Sequence, residues 1–313
     1  MQIIGIIGGA GFIGSHITKK FLAEGYTVKV SATDLSRQDK YEHLHRLVNA
    51  ENLTVSQLDV ANEASLKTFM QDCVLVIHCG TPFQLGVENP QKEVFEPTIR
   101  GTENFLNVVS QTTSVKKVVF VASVASYNTL FPMPISDRPA NHIYSEADAP
   151  YLDAEAIPYC QAKYYADQAV RTFVATNPDV TFEVVSVFPT LVVGPALSDR
   201  ADSTSVGLQH LFKNKLMPDA FIEMLFANDV EFAVVAVSDV AEAIFQAATT
   251  PGLHGKNYLL TGESWKVSDI SSMLNKDTPA GTARTVYSNA SATQELGMQF
   301  QSAQVPLHEY AGS

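Results

Sequence analysis

Residues 3–16 read IIGIIGGAGFIGSH, and this stretch decides the fold. Its first part, Ile3–Ile7, is apolar around one glycine and predicts a buried β-strand. Three glycines follow at the spacing Gly-x-x-Gly-x-x-Gly. Beyond them Ile13, Ile17 and Phe21 recur at the spacing of one helix face. The stretch therefore predicts a strand, a tight turn and a helix.

The glycine turn has the composition of a phosphate-binding loop. Glycine permits the tight turn, lets the backbone approach a pyrophosphate and lets the helix pack close to the strand. The start of the helix adds unpaired N–H groups and a positive dipole end. Such a turn can be purely structural, but a strand before it and a helix after it are what a dinucleotide site requires. The predicted cofactor contacts in this turn are Gly8, Gly11, Phe12, Ile13 and Gly14.

Short apolar runs alternate with helical patterns through the first two thirds of the chain. Further strands are predicted at residues 28–31, 55–58, 75–79, 118–122 and 183–188. Helices are predicted between them at 64–71, 94–110 and 159–176. This alternation, with β-branched and almost continuous apolar strands, predicts an α/β fold with a doubly wound parallel sheet of the Rossmann type.

From about residue 194 the pattern is less regular. Helices are predicted at 203–215, 239–248 and 268–274, and strands at 232–237 and 256–261. We expect a dinucleotide-binding domain over residues 1–193 and a smaller, mainly substrate-binding domain over 194–313, with part of 232–262 returning to the first. The loop at 128–158 contains five prolines, and a loop of that length in a compact domain is often functional.

The composition is globular, with 46% hydrophobic and 17% charged residues. The net charge of −12 argues against nucleic acid or an anionic membrane as the main partner, because both require a basic surface. The three cysteines fit neither a zinc site nor a disulfide framework, so we expect no metal and reduced thiols. The first residues lack the signal-peptide pattern, and no apolar run approaches the ~20 residues of a membrane span. We therefore expect a cytoplasmic protein.

The end of the second predicted strand bears on the choice of dinucleotide. An acidic residue there binds the ribose 2′-OH of NAD, whereas basic residues accommodate the 2′-phosphate of NADP. Asp34 lies 20 residues after Gly14, a spacing that allows NAD. The strand is predicted to end before Asp34, however, and basic residues follow. We therefore expect NADP, with NAD as the alternative. The predicted contacts with the 2′-phosphate are Ser31, Thr33, Arg37 and Lys40.

The segment YCQAK, at residues 159–163, contains a tyrosine and a lysine one helical turn apart. Tyr159 and Lys163 share one face of the predicted helix. Such a pair occurs on many helices by chance, and a surface pair is the simplest interpretation of the segment alone. Only the other motifs of the chain favour a catalytic role.

Taken together and in order, these motifs resemble those of the extended short-chain dehydrogenase/reductases. The chain is most similar to the dihydroflavonol-reductase-like branch, within the NAD-dependent epimerase/dehydratase superfamily, and the resemblance covers nearly its whole length. The segments that carry the resemblance are GGAGFIGSH (8–16), VIHCGTPF (76–83), PTIRGTENFL (97–106), KVVFVASVASYN (117–128), YCQAK (159–163), FPTLVVGP (188–195), AVSDVAEA (236–243) and SATQELGM (291–298).

The resemblance implies a catalytic set and further binding residues. The catalytic residues would be Ser123, Tyr159 and Lys163, with Asn128 facing the substrate oxygen. The helices at 94–110 and 159–176 would be able to pair in a homodimer. Further cofactor contacts would be Asp59, Val60, Gly80, Thr81, Tyr159, Lys163, Pro189, Thr190 and Leu191.

The chain departs from the pattern of these families at two places. Thr33 stands where the dihydroflavonol-reductase-like branch usually has an arginine, which weakens the prediction of NADP. The segment before the strand at 232–237 lacks the arginine that sugar-nucleotide epimerases usually carry. That absence weakens the prediction of a diphosphate-linked sugar as substrate.

Hydride transfer to a carbonyl builds negative charge on oxygen, which must gain a proton. Tyr159 can donate that proton, and we expect the Lys163 ammonium to lower the tyrosine pKa. Ser123 can orient the substrate oxygen through a hydrogen bond. The sequence therefore predicts an NADP(H)-dependent oxidoreductase that interconverts a small-molecule carbonyl and an alcohol. The alternatives are an NAD-dependent epimerase or dehydratase of a sugar-type substrate, and a non-catalytic dinucleotide-sensing protein.

Several other side chains have simpler interpretations. His78 is flanked by apolar strand residues and is expected to be a core histidine. Glu146 is expected to form hydrogen bonds in the long loop. Phe131 and Met133 are candidates for an apolar substrate wall or, equally, for loop anchors.

Overall fold

A computed structural model describes residues 2–79, 89, 91–200 and 203–312 of the chain. The predicted cofactor contacts Gly80 and Thr81 lie outside the described residues. None of the helices in the described part combines the length and the apolar character that crossing a bilayer requires.

The described part of the chain alternates strands and helices as predicted. The strands are β1 (Ile3–Ile7), β2 (Thr27–Ala32), β3 (Leu53–Gln57), β4 (Cys73–His78), β5 (Lys117–Val121), β6 (Glu183–Pro189), β7 (Leu191–Val193), β8 (Glu231–Ala236), β9 (Asn257–Leu260) and β10 (Ser264–Lys266). The helices are α1 (Phe12–Ala23), α2 (Glu63–Met70), α3 (Glu96–Ser110), α4 (Pro158–Thr176), α5 (Thr204–Asn214), α6 (Ala220–Ala227), α7 (Val237–Thr249), α8 (Val267–Leu274), α9 (Ala290–Leu296) and α10 (Gln304–Gly312).

Seven parallel strands form the main sheet in the order β3-β2-β1-β4-β5-β6-β9. The order reverses between β1 and β4, and ligands of such sheets bind in the crevice beyond the carboxyl ends of the strands at that point. Helices cover both faces, and two buried apolar clusters pack on opposite sides of the strands. The predicted doubly wound Rossmann fold is confirmed.

A second, three-stranded sheet has the order β10-β8-β7. The strand predicted at 232–237 belongs to this sheet, as β8. Its neighbours β7 and β10 were not predicted from the sequence, and neither were α6, α9 and α10. Both missed strands have only three residues, which is too short for a periodic pattern to show.

The C-terminal third divides its elements between the two sheets. The strand β9 pairs with β6 in the main sheet. The helix α7 also packs there, against α1, and the rings of Phe21 and Phe245 lie 5.2 Å apart. The helices α5, α8 and α10 surround the second sheet instead. The apolar face of α7 explains its position, because its side chains share one cluster with those of α1.

The helix predicted at 94–110 begins differently from the prediction. Residues Gln91–Phe95 form a wide π-helical turn, and α3 begins at Glu96 with a proline in its first turn. Proline is favoured there because it has no N–H to leave unpaired. The helices α3 and α4 pack against each other within the chain. Their pairing in a homodimer stays a prediction.

The long loop at 128–158 is tied to the C-terminal third. The two oxygens of the Glu146 carboxylate accept hydrogen bonds from Leu259 N at 2.7 Å and from Ser291 Oγ at 3.1 Å. The expected hydrogen-bonding role of Glu146 is confirmed. Phe131 packs edge-on against Phe232 and Tyr287, which favours the interpretation of Phe131 as a loop anchor.

The glycine turn leaves no room for side chains at its closest point. Gly8 adopts a φ of +79°, in the region that favours glycine. A Cβ added to Gly14 would lie 2.1 Å from Gly8 O and 2.8 Å from Gly9 Cα. The start of α1 therefore reaches its position only because residue 14 has no side chain.

Gly14→Ala tests this contact against a matched control. We expect Gly14→Ala to lower the free energy of unfolding by more than about 2 kcal/mol, because the backbone of the turn must shift. In α5, a Cβ on Gly207 would meet nothing within 4 Å. Gly207→Ala is therefore expected to raise the free energy of unfolding by about 0.5–1 kcal/mol. Denaturant unfolding measures both, and equal effects of the two substitutions would contradict the close-contact interpretation.

Candidate active site

A cleft of about 360 Å³ lies beyond the carboxyl ends of β1, β4 and β5. It is the crevice that the strand order predicts. The glycine turn and the start of α1 form one wall, α4 forms another, and Arg200 and residues 203–205 complete the described lining. The described lining residues are Gly8, Gly11, Phe12, Ile13, Gly14, Cys79, Val121, Ala122, Tyr159, Lys163, Arg200, Ser203, Thr204 and Ser205.

Ser123 follows the end of β5 and caps a short 3-10 turn, Val124–Ser126. Its Oγ accepts a hydrogen bond from Ala125 N at 3.2 Å. The same hydroxyl is hydrogen-bonded to the hydroxyl of Tyr159. The serine is partly exposed, and the local cap fixes its hydroxyl beside that of Tyr159, which lines the cleft.

The first turns of α4 place Tyr159 and Lys163 on the face toward the cleft. The ammonium nitrogen of Lys163 lies 5.9 Å from the centroid of the Tyr159 ring. Behind them, the buried Ser126 Oγ donates to Lys163 O at 3.1 Å and joins α4 to the turn after β5. Ser126 therefore has a structural role, and Ser123 is the serine that contacts the tyrosine.

Burial shifts the pKa values of the two ionisable groups, Tyr159 and Lys163, in opposite directions. It raises the pKa of Tyr159, an effect to which Cys160 adds and which the hydrogen bond with Ser123 opposes. The expectation that Lys163 lowers this pKa is wrong for the net shift, because burial outweighs the opposing effects. Burial also lowers the pKa of Lys163 to about 8, against the influence of Cys79. Near neutral pH the tyrosine is therefore protonated and the lysine is charged.

Asn128 does not face the cleft. Its side chain is fully buried, at 0% exposure. Its Nδ2 donates to Met133 O at 2.8 Å and to the Tyr287 hydroxyl at 3.2 Å, while its Oδ1 accepts from Leu130 N at 3.0 Å. These bonds use both amide hydrogens to hold the start of the long loop. The predicted contact with a substrate oxygen is therefore not present in this arrangement.

The residues predicted to hold a 2′-phosphate lie outside the described lining of the cleft. Thr33, Arg37 and Lys40 are exposed. The Arg37 guanidinium binds both carboxylate oxygens of Asp39, at 3.0 and 2.9 Å. Ser31 Oγ accepts from Gly8 N at 2.9 Å and so supports the glycine turn. Arg37 caps the short 3-10 turn Gln38–Lys40 that follows β2, and the charged side chains of Arg37 and Lys40 are exposed to solvent.

The other predicted cofactor contacts are also placed by the fold. Asp59 is exposed, and its Oδ1 accepts from Ala61 N at 2.9 Å. Val60 packs on the apolar cluster beneath α2 and α3. Between the two sheets, Thr190 N donates to Leu260 O at 3.0 Å. Pro189, Thr190 and Leu191 are buried, and none of these five residues is in the described lining of the cleft.

Arg200 lines the cleft and was not predicted from the sequence. Its Nη1 donates to Ala10 O and Lys40 O, at 3.3 Å each. The segment that carries it is held at its start by His16, whose Nε2 is 2.9 Å from Pro195 O. Burial lowers the pKa of His16 to about 4, so this histidine is neutral at pH 7 and donates from Nε2. No local motif marks residue 200.

His78 lies in the core, as expected. Its ring packs against those of Phe105 and Phe120, with centroids 4.8 and 5.4 Å away. Burial lowers its pKa to about 4, and it is neutral at pH 7. Within the described residues, His, Cys, Asp and Glu side chains form no group of three or more that could hold a metal ion.

Comparison with curated proteins finds plant reductases. The chain is 28% identical over 266 residues to a cinnamoyl-CoA reductase of Medicago truncatula, a match that covers 83% of this chain and 76% of that enzyme. It is 30% identical over 220 residues to the bifunctional dihydroflavonol 4-reductase/flavanone 4-reductase of Malus domestica. That second match covers 67% of this chain and 60% of the apple enzyme, which is less than two thirds of its length.

Solved structures show the same fold over the whole chain. The NADPH complex of Gre2 from Candida albicans has a TM-score of 0.84 at 20% identity, covering 100% of this chain and 98% of that one. The NADPH complex of the yeast methylglyoxal/isovaleraldehyde reductase Gre2 has a TM-score of 0.80 at 21% identity, covering 99% and 97%. The family model described as the NAD dependent epimerase/dehydratase family matches residues 4–260. This chain is a member of that family.

Proposed function

We propose that the protein is an NADP(H)-dependent oxidoreductase that reduces an aldehyde or ketone to an alcohol, or catalyses the reverse. The observation that carries this proposal is that Tyr159 and Lys163 line one cleft with the glycine turn, while Ser123 is hydrogen-bonded to Tyr159. A hydroxyl pair and a lysine beside a dinucleotide loop are the groups that carbonyl reduction needs. The names of the similar reductases support the same activity.

The glycine turn and the first turn of α1 would hold the dinucleotide. The backbone comes close there because Gly14 has no side chain, and α1 directs its N-terminal N–H groups toward the cleft. Bound NADPH would supply the hydride. The solved reductases of the same fold with NADPH support NADP(H) over NAD(H).

Tyr159 would donate the proton to the substrate oxygen. Because burial raises its pKa, the hydroxyl is protonated at neutral pH and ready to act as an acid. Ser123, hydrogen-bonded to it, would orient the oxygen. The Lys163 ammonium, 5.9 Å from the ring centroid, would stabilise the negative charge that Tyr159 acquires when it gives up its proton.

The most direct test is oxidation of NADPH by the purified protein in the presence of a broad panel of aldehydes and ketones, with NADH in parallel. Turnover of a carbonyl with stoichiometric loss of NADPH supports the proposal. An epimerase or dehydratase would retain its cofactor and consume none of the added dinucleotide. Tight binding of NADPH without turnover across the panel would instead indicate a dinucleotide-sensing protein.

Tyr159→Phe removes the proposed proton donor and keeps the ring. We expect it to lower kcat by at least about a hundredfold while the Kd for NADPH changes little, because general acid catalysis contributes on this scale. Tyr165→Phe is the matched control, since Tyr165 lies on the same helix and is 40% exposed. The control should keep its activity. Retention of most activity by Tyr159→Phe would mean that another group donates the proton.

Lys163→Met separates the function of the lysine from its effect on stability. Burial lowers the pKa of Lys163 from its ordinary value of 10.5 to about 8, so the charged form opposes folding below pH 8. The shift corresponds to roughly 3 kcal/mol at about 1.4 kcal/mol per pKa unit. We therefore expect Lys163→Met to lose activity and to unfold at a higher temperature at pH 7.

The advantage in stability of Lys163→Met should depend on pH. The folded lysine releases its proton near pH 8 and the unfolded one near 10.5. Between these pH values the unfolded state binds more protons than the folded state, so the wild-type chain gains stability as the pH rises. The difference in stability between Lys163→Met and the wild-type chain therefore shrinks. Thermal unfolding from pH 7 to 10 measures it, with the exposed Lys266→Met as control. A difference that does not change with pH would exclude lysine ionisation as its cause.

A further inference from the structure

Arg200 joins two loops that follow the neighbouring strands β1 and β2. Ala10 belongs to the glycine turn after β1, and Lys40 ends a 3-10 turn after β2. The Arg200 Nη1 donates to the carbonyl oxygens of both, 3.3 Å away. These contacts hold the guanidinium over the gap between the turn that faces a pyrophosphate and the loop that faces the adenosine ribose in this fold.

His43 lies near Arg200 and contacts the start of α1. Ser15 Oγ donates to Gly11 O at 2.7 Å and lies 2.8 Å from His43 Nε2, so the histidine donates from Nε2. Its Nδ1 is left as a buried acceptor without a hydrogen-bond partner among the described residues. The pKa of His43 is lowered, first by burial and then by the charges of Arg200 and Arg46.

Two arginines lie near His43 in an otherwise acidic chain. The net charge is −12, and the charges of Arg200 and Arg46 both act on His43. A positive site in an acidic protein favours a local anionic ligand over a polyanion such as nucleic acid. A phosphate group is the anion that the neighbouring glycine turn is suited to bring here.

The basic residues after β2 do not fill this role in the described structure. The Arg37 side chain is 54% exposed and bound to Asp39. Lys40 is exposed, and its contact with the cleft is made by its carbonyl oxygen. Arg200 is therefore the arginine in the described lining of the cleft.

We propose that Arg200 binds the 2′-phosphate of NADPH and sets the preference of the cleft for NADP(H) over NAD(H). The inference deepens the proposed function and rests on it. A guanidinium can form two parallel hydrogen bonds to a phosphate, and its contacts with Ala10 and Lys40 fix its plane before the ligand arrives. The pyrophosphate would be held separately, by the backbone of the glycine turn.

The test compares binding of four ligands by calorimetry: NADPH, NADH, adenosine 2′,5′-bisphosphate and AMP. We expect Arg200→Gln to weaken the binding of NADPH and of adenosine 2′,5′-bisphosphate by on the order of tenfold to a hundredfold, because a charge-assisted phosphate contact is lost. Binding of NADH and AMP should change by less than about threefold. Arg200→Lys should recover part of the loss, since it restores the charge without the planar fork.

Two further variants complete the comparison. Arg46→Gln is the matched control, because Arg46 is a nearby exposed arginine that binds Glu42. Arg37→Gln tests the competing assignment, and a selective loss of NADPH affinity in that variant alone would overturn the role of Arg200. An equal loss of NADPH and NADH in Arg200→Gln would also overturn it and would place the contact at the pyrophosphate. Thermal unfolding checks that the variants are folded.

The outcome separates this inference from the proposed function. If the wild-type chain binds none of the four ligands, the proposed dinucleotide function itself fails. If it binds NADPH and turns over a carbonyl while Arg200→Gln keeps the wild-type preference, only the assignment of Arg200 fails. A selective effect on the two ligands with a 2′-phosphate supports both.

Discussion

The close contact between Gly14 and the backbone of the preceding turn is the constraint on which the rest of the site depends. No Cβ fits at this point, where it would lie 2.1 Å from Gly8 O. The absence of that side chain lets α1 begin directly beneath the end of β1, and Ser31 Oγ supports the turn by accepting from Gly8 N. One wall of the cleft is therefore backbone, and a negatively charged ligand can approach the N-terminal end of the helix.

Burial supplies the electrostatics of the opposite wall. The environment that raises the pKa of Tyr159 lowers that of Lys163 to about 8, because each neutral form is favoured in a poorly hydrated site. At neutral pH the site therefore contains a protonated Tyr159 and a charged Lys163, and burial of that charge opposes folding. Sites of this kind reduce stability in exchange for reactivity, which is a recognised conflict between the two properties.

The Rossmann fold could be predicted from the sequence because the signals that indicate this fold lie within short segments of the chain. Strand and helix periods, the glycine spacing and the positions of Tyr159 and Lys163 on one helix face all lie within short segments. The second sheet was only partly predicted, since β7 and β10 have three residues each. The sequence predicted that part of 232–262 returns to the first domain, but not the assignment of each element to a sheet. That assignment depends on which apolar faces meet, as when α7 packs against α1.

The sequence by itself determined the glycine turn, the alternation of strands and helices and the position of Tyr159 and Lys163 on one helix face. Only the tertiary structure decided how other polar groups are used. It buried Asn128 among partners of the loop, left Arg37 bound to Asp39 in solvent and brought Arg200 to Ala10, 190 residues away in the chain. The sign of the Tyr159 pKa shift also came from packing. Burial and long-range contacts are properties of the assembled core, and no short segment of sequence records them.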